Sequence, residues 1–228
     1  MKLLAVETST DACSAALFID GQIEEQFALA PREHTKLILP MIDQLMAAAQ
    51  LKPQQLDAIA VSRGPGSFTG VRIAGGVVQG IAMGADLPVV PVSTLAAIAQ
   101  GYFNQNSDAD LAFTAMDARM DEIFWGCFQR NGLGLAELIG EEVVTPAAEV
   151  IFPDLSGFGV GSGWGVYPEI LNQRLAERVL GVESEIWPHA ACIAQLGAYG
   201  FANGLAVAVE QAMPVYLRDK VAKKQSER

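Results

Sequence analysis

Between residues 56 and 86 the chain passes from a strand pattern, Leu56-Asp57-Ala58-Ile59-Ala60-Val61-Ser62, through Gly64-Pro65-Gly66-Ser67-Phe68-Thr69-Gly70-Val71-Arg72, into a long helix pattern rich in small residues. Two glycines and a proline within three positions let the backbone turn tightly and come close to another group. Ser67 or Thr69 then stands where a helix N-cap is needed. A strand–glycine turn–helix unit calls for an α/β fold, with the strand in a sheet and the helix packed back over it. It also exposes N–H groups at the positive end of a helix, which suits an anion or phosphate. The run is not a Walker loop, because the Gly-Lys-[Ser/Thr] ending is missing, and its spacing departs from the dinucleotide fingerprint. The candidate phosphate-loop residues are Gly64, Gly66 and Ser67, together with Glu7, Thr8 and Ser9 at the end of the first strand.

The helix pattern from Thr69 to Asp86 carries Gly70, Gly75, Gly76, Gly80 and Gly84. Each interior glycine costs a helix roughly 1 kcal/mol relative to Ala, a cost borne where another backbone must approach. Either a sheet beneath this helix or a second helix against it meets that condition, or both on different faces. Upstream, Leu3–Val6, Cys13–Ile19 and Gln22–Leu29 read as a three-stranded meander, with Asp20-Gly21 as a hairpin turn. From Arg32 to Gln50, Ile38, Met41, Ile42, Leu45 and Met46 recur at helical spacing, and Pro40 predicts a kink or a division there. Pro88–Val92 reads as a short strand, and Ser93 as the cap of a helix to about Tyr102. After the polar stretch Asn104–Asp108, a second meander follows at Leu111–Met116, Glu122–Gln129 and Leu135–Val144. A short helix from Pro146, a strand at Phe158–Gly161 and a helix over Ala190–Asn203 complete the pattern. The expected division is 1–106, 107–213 and a basic tail, 214–228.

A chain of 228 residues suffices for one large domain or two small lobes with their own cores. With 51% hydrophobic and 18% charged residues it is a folded globular chain. Fifteen Lys and Arg against 26 Asp and Glu give a net charge of −11, which excludes a broad phosphate-neutralising surface of its own. Three scattered cysteines, Cys13, Cys127 and Cys192, point to a reducing compartment and to core packing. The N-terminus reaches Glu7 after a few apolar residues, unlike a signal peptide, and no apolar run attains the roughly 18 residues of a membrane span. A soluble, cytoplasmic protein is expected.

Two halves that each open with a meander resemble the actin-like ATPase and sugar-kinase (ASKHA) superfamily. Five segments resemble the bacterial TsaB (YeaZ) family more specifically: Leu4–Leu17, Pro31-Arg32-Glu33-His34-Thr35, Arg63–Ile73, Met116-Asp117-Ala118-Arg119-Met120 and Pro214-Val215-Tyr216-Leu217-Arg218. The resemblance implies an α/β fold of two actin-like lobes, each a meander-started mixed sheet with flanking helices, the second lobe reduced. It implies a non-catalytic subunit needed to build threonylcarbamoyl-adenosine next to the anticodon, in tRNAs that read codons beginning with A. One enzyme of that pathway makes threonylcarbamoyl-adenylate from threonine, bicarbonate and ATP. A TsaD-type transferase then modifies the tRNA, and a TsaE-type ATPase joins the complex. ATP and metal are expected on those partners and no cofactor on this chain. Pairing with the transferase, a homodimer in its absence, tRNA contact only through the complex and no membrane contact complete the expectation. The alternative is an ATPase or small-molecule kinase that uses the interlobe cleft.

The catalytic relative holds its metal through a His-x-x-x-His segment just after a Pro-Val strand end. Aligning that with Pro91–Ile98 puts Thr94 and Ile98 at the ligand positions, and isoleucine cannot coordinate. Only two histidines exist, His34 and His189, so neither a metallopeptidase centre nor a Ser/His/Asp set can be assembled. The resemblance assigns the partner surface to the helices Arg32–Gln50 and Thr69–Ala85: Arg32, His34, Leu37, Met41, Leu45 and Met46 on the first, Val71, Ala74, Gly75 and Val78 on the second. Apart from that surface, His34 reads as a capping contact or a base. Glu7 reads as a strand-end acid bonded to its own turn or as the orienting group for a water or Mg²⁺. Asp117 and Arg119 either face the cleft or pair and close their turn. Gly159, Gly161, Gly163 and Gly165 resemble an adenosine-contacting turn or make a tight strand–helix connection. Glu141-Glu142 reads as a solvated edge. The tail basics Arg218, Lys220, Lys223, Lys224 and Arg228 read as a solvated helix end or as contacts to RNA phosphate.

Overall fold

The computed structural model describes residues 1–218. The first meander forms as β1 (Lys2–Glu7), β2 (Ala12–Ile19) and β3 (Gln22–Leu29), followed by α1 (His34–Ala48), β4 (Ala58–Ser62), α2 (Phe68–Ala85), β5 (Val89–Val92) and α3 (Thr94–Gln105). The second half repeats the order with β6 (Leu111–Arg119), β7 (Glu122–Arg130), β8 (Ala136–Pro146), β9 (Gly157–Val160), α4 (Ser162–Val166), α5 (Pro168–Leu175), β10 (Val179–Glu183) and α6 (Ala190–Ala202). The first sheet runs β3-β2-β1-β4-β5 and the second β8-β7-β6-β9-β10. In each, the meander is antiparallel and the last two strands are parallel to the first. The two lobes therefore share one topology, the architecture of the actin-like fold. Both sheets keep five strands, so the reduction of the second lobe lies in its helices: α4 has 5 residues and α5 has 8, against 15 in α1 and 18 in α2.

Period-two alternation sends Leu4 and Val6 to one face of β1, and Leu3 and Ala5 to the other. The first pair packs with Leu17, Ile59, Met41, Leu45, Ala74 and Val78 under α1 and α2. The second packs with Ala58, Ala60 and Val90 against Ala190, Ile193 and Ala194 of α6. On the second sheet, Phe113, Ile123 and Trp125 pack under α4 and α5. Its opposite face, with Ala112, Met116 and Phe128, takes Leu95, Ile98 and Phe103 of α3. The last helix of each half thus covers the sheet of the other, and α3 and α6 touch each other between the sheets. Buried indoles are satisfied: Trp164 donates to the Phe113 carbonyl at 2.7 Å and Trp125 to that of Ile151 at 2.9 Å.

Pro40 lies inside α1 on its exposed side, and the helix is not divided. Elements the sequence pattern does not reveal are α4, α5 and β10, all short and half exposed. Among the described residues no helix is long and apolar enough to cross a membrane.

Candidate functional site

The C-terminal ends of β1 and β4 lie side by side, because Val6 pairs with Val61 in parallel register. Glu7 and Ser62 follow, both fully buried, and each keeps a side-chain oxygen, Oε2 and Oγ, without a partner. The Ser9 N–H donates to Glu7 Oε1, so the acid closes its own turn. Burial raises the Glu7 carboxyl to about 7, against the lowering effect of the bond from Ser9. Across this turn lies the glycine run. Ser67 caps α2 by accepting from the Gly70 N–H at 3.3 Å. The Ser67 N–H donates to the Ser9 carbonyl at 2.7 Å, and the Thr8 hydroxyl donates to the Gly70 carbonyl at 2.7 Å. A Cβ on Gly66 would stand 2.4 Å from the Ser9 carbonyl oxygen, and one on Gly70 2.1 Å from that of Thr8. These glycines admit the chain's own turn. At the start of α2, the Ser67 N–H is taken by that turn and the Gly70 N–H by the cap.

Residues of the cleft walls find partners within the chain. Thr94 donates to Ser9 Oγ at 3.1 Å, and Ile98 is in the core. Asp117 and Arg119 pair at 3.0 Å and close the β6–β7 turn. The glycines after β9 make the tight strand–helix connection: a Cβ on Gly159 would meet Trp164 at 2.5 Å, and one on Gly163 would meet Ala115 at 2.8 Å. Glu142 corrects the expectation of a solvated edge. Its side chain is 6% exposed, it accepts from the Ser93 hydroxyl, and Arg63 stands 3.4 Å from its Oε2. Its register on β8 aims it at the first lobe, whereas Glu141 faces solvent. Burial raises the Glu142 carboxyl above its ordinary value despite Ser93 and Arg63. Sequence spacing gives no signal for this contact, since its partners lie 49 and 79 residues away. Among the described residues no group of three His, Cys, Asp or Glu side chains gathers as metal ligands.

Of the ten residues assigned to a partner surface, most point inward. Met41, Leu45, Met46, Val71, Ala74 and Val78 are buried in the core over the first sheet. His34 is also buried; its Nε2 lies 2.8 Å from the Thr10 carbonyl and 3.2 Å from that of Ala12, to which it donates, pinning α1 to the first hairpin. Leu37 and Gly75 are half-buried and Arg32 is exposed. The outward face of α2 consists instead of Arg72, Gly76, Gly80, Met83 and Gly84. A Cβ on Gly75, Gly76, Gly80 or Gly84 would meet nothing within 4 Å. Among the described residues no sheet or helix covers that row, although every fourth residue along it from Arg72 to Gly84 stands on one side. Beside it α1 exposes Leu39, Pro40 and Asp43.

The basic tail falls partly within the described residues. Arg218 donates to Glu122 and to the Arg119 carbonyl; Lys220, Lys223, Lys224 and Arg228 lie outside the described residues.

Comparison with known proteins agrees with this architecture. The family model described as TsaD, tRNA N6-adenosine threonylcarbamoyltransferase, matches residues 27–225. The tRNA threonylcarbamoyladenosine biosynthesis protein TsaB of Escherichia coli is 42% identical, over 97% of this chain and 96% of its own length. TsaB of Haemophilus influenzae is 37% identical, over 97% and 95%. A solved structure of YeaZ from Pseudomonas aeruginosa superposes with a TM-score of 0.87 at 42% identity, covering 95% of this chain and 99% of that one. Matched at 42% identity over nearly its whole length, this chain belongs to the TsaB (YeaZ) family.

Proposed function

We propose that this chain is a non-catalytic partner subunit in tRNA threonylcarbamoyladenosine formation. It binds a TsaD-type transferase and supports transfer to the adenosine beside the anticodon, together with a TsaE-type ATPase. The observation that carries this reading is the row of glycines on α2 with open space over each. A helix that tolerates four uncovered glycines is destabilised by several kcal/mol in isolation, roughly 1 kcal/mol each. Close approach of a partner helix offsets that, burying backbone and flanking apolar side chains such as Met83 and Leu39.

The partner is of this chain's own fold class, since the transferase family model spans most of it. Like surfaces can therefore pair about a pseudo-two-fold axis, and two copies of this chain can pair in the same way when the transferase is absent. The buried residues of α1 and α2 support this face rather than form it. Met41, Leu45, Ala74 and Val78 hold α1 and α2 in place from beneath. Chemistry, nucleotide and metal belong to the partners, and tRNA is reached through the assembly. The acidic balance, −11, fits a subunit that does not hold RNA on its own.

The test is a Gly80→Glu variant, which adds bulk and charge on the open face without touching the core. It should fold with unchanged thermal stability or better, fail to capture the transferase, and fail to support modification of tRNA. A Gly80→Glu protein that binds the transferase with the affinity of the parent overturns the assignment of this face.

A further inference from the structure

Two actin-like lobes joined by crossing helices can rock about those helices. What limits the motion must lie at the open ends of the sheets, where the first strand of each lobe ends. Arg63 stands there, directly after β4. Its N–H donates to the Val92 carbonyl at 2.8 Å, and its own carbonyl accepts from the Val215 N–H at 2.8 Å. Its side chain reaches Glu142 of the second lobe, to which Ser93 also donates. One residue thus joins the first sheet, the second sheet and the C-terminal segment.

That segment continues across both lobes. Ala212 is buried under α1 and α2, and Val215 is fixed to Arg63 beside Gly64. Tyr216 accepts from Arg72 Nε at 3.0 Å, and the Arg72 guanidinium lies 3.5 Å above the Phe68 ring, on the first turn of α2. Two residues later Arg218 reaches the second lobe. It donates to Glu122 and, at 3.2 Å, to the Arg119 carbonyl, both at the β6–β7 turn. By the shared topology this turn is the counterpart of the β1–β2 turn against which the glycine run packs. Beneath Ala212–Pro214 a space of only about 10 Å³ remains, lined by Ser62, Arg63, Val71 and Gly75.

We infer that Met213–Arg218 form a strap that holds the mouth between the two lobes shut, in concert with a latch made by Arg63, Ser93 and the buried Glu142. The strap supplies anchors on both lobes, and the latch sits between them. With both in place, α2 is held at its N-terminal turn from the second lobe. Lifting the strap frees the β6–β7 turn and lets the lobes separate about α3 and α6.

The experiment compares the full chain with Tyr216→Ala/Arg218→Ala, which keeps every residue after the strap, and with a chain ending at Ala212. The readouts are hydrogen exchange along the chain and the distance distribution between spin labels on Gln44 and Glu137, one exposed position in each lobe. The double variant should lose protection at the β6–β7 turn and the first turn of α2 by about tenfold or more, the loss expected for a hydrogen bond to a charged group. Protection in α3 and α6 should stay, and the interlobe distances should broaden. The truncated chain should show the same changes, enlarged. Adding Glu142→Gln to the double variant should broaden the distances further. Unchanged protection at both turns with an unchanged distance distribution in the double variant overturns the inference, whether or not the truncated chain folds.

Discussion

Glu7 stands fully buried at the end of the first strand, with one unpartnered oxygen. Its carboxyl titrates at about 7 in the fold against 4.5 in the open chain, because burial penalises the charge. The folded state therefore holds this proton more tightly than the unfolded one. The stability this adds is fully present below about pH 4.5 and is lost as pH rises towards 7. A shift of that size corresponds to up to about 3 kcal/mol. Glu7→Gln removes the charge, keeps the acceptor for Ser9 and offers a donor to Ser62. Relative to the parent, its unfolding free energy should rise by up to about 3 kcal/mol between pH 5 and pH 8, as read by urea titration at each pH. His34 is legible as a helix-start contact but not as a buried one. Its partners are carbonyls of the first hairpin, more than 20 residues away, and local spacing does not show them.

At the scale of the element, α2 separates two uses of glycine that look alike in the sequence. Gly70 sits on the Thr8 carbonyl and Gly80 sits under open space. Gly70→Ala should force the two turns apart and cost several kcal/mol, on the order of a disruptive core change. Gly80→Ala should raise the unfolding free energy by up to about 1 kcal/mol in the free chain, since only the helix backbone is affected. Paired thermal melts check both. The small-residue pattern predicts a helix with close approaches; which glycine meets which neighbour depends on tertiary packing. In the same way, periodicity identifies the apolar stripe of α1, Ile38 to Met46, but cannot say whether it faces the sheet or a partner. The sheet takes it, because Leu4, Val6 and Leu17 present an apolar face of matching width. Ser93 is legible as the cap of α3, accepting from the Ala96 N–H at 3.2 Å, and its second bond to Glu142 is not. Ser93→Ala should therefore cost more than the ~1 kcal/mol of a lost cap, because it also strips a buried carboxyl of a donor.

For the molecule as a whole, the exchange of α3 and α6 between lobes decides how it unfolds. Without α6 the first sheet would expose Leu3, Ala5, Ala60 and Val90, and without α3 the second would expose Ala112, Met116 and Phe128. Each half alone would lose the cover of one face of its sheet, so unfolding should be one cooperative transition. All three tryptophans, Trp125, Trp164 and Trp187, lie in the second half, so their fluorescence reports that half while far-UV dichroism reports both. The two probes should give superimposable thermal curves; separate midpoints would show independent lobes. The repeated meander makes two lobes legible in the sequence. Their exchange of helices is not, because a helix carries no local mark of which sheet it covers. The proposed use of the open face of α2 as a partner surface is best tested in the full reaction. The measurement is threonylcarbamoyl transfer to tRNA by a TsaD-type transferase and TsaE-type ATPase, run without this chain, with it, and with Gly80→Glu. Transfer should require the chain and fall with Gly80→Glu in step with loss of the complex; undiminished transfer in the chain's absence would contradict its role as the partner subunit.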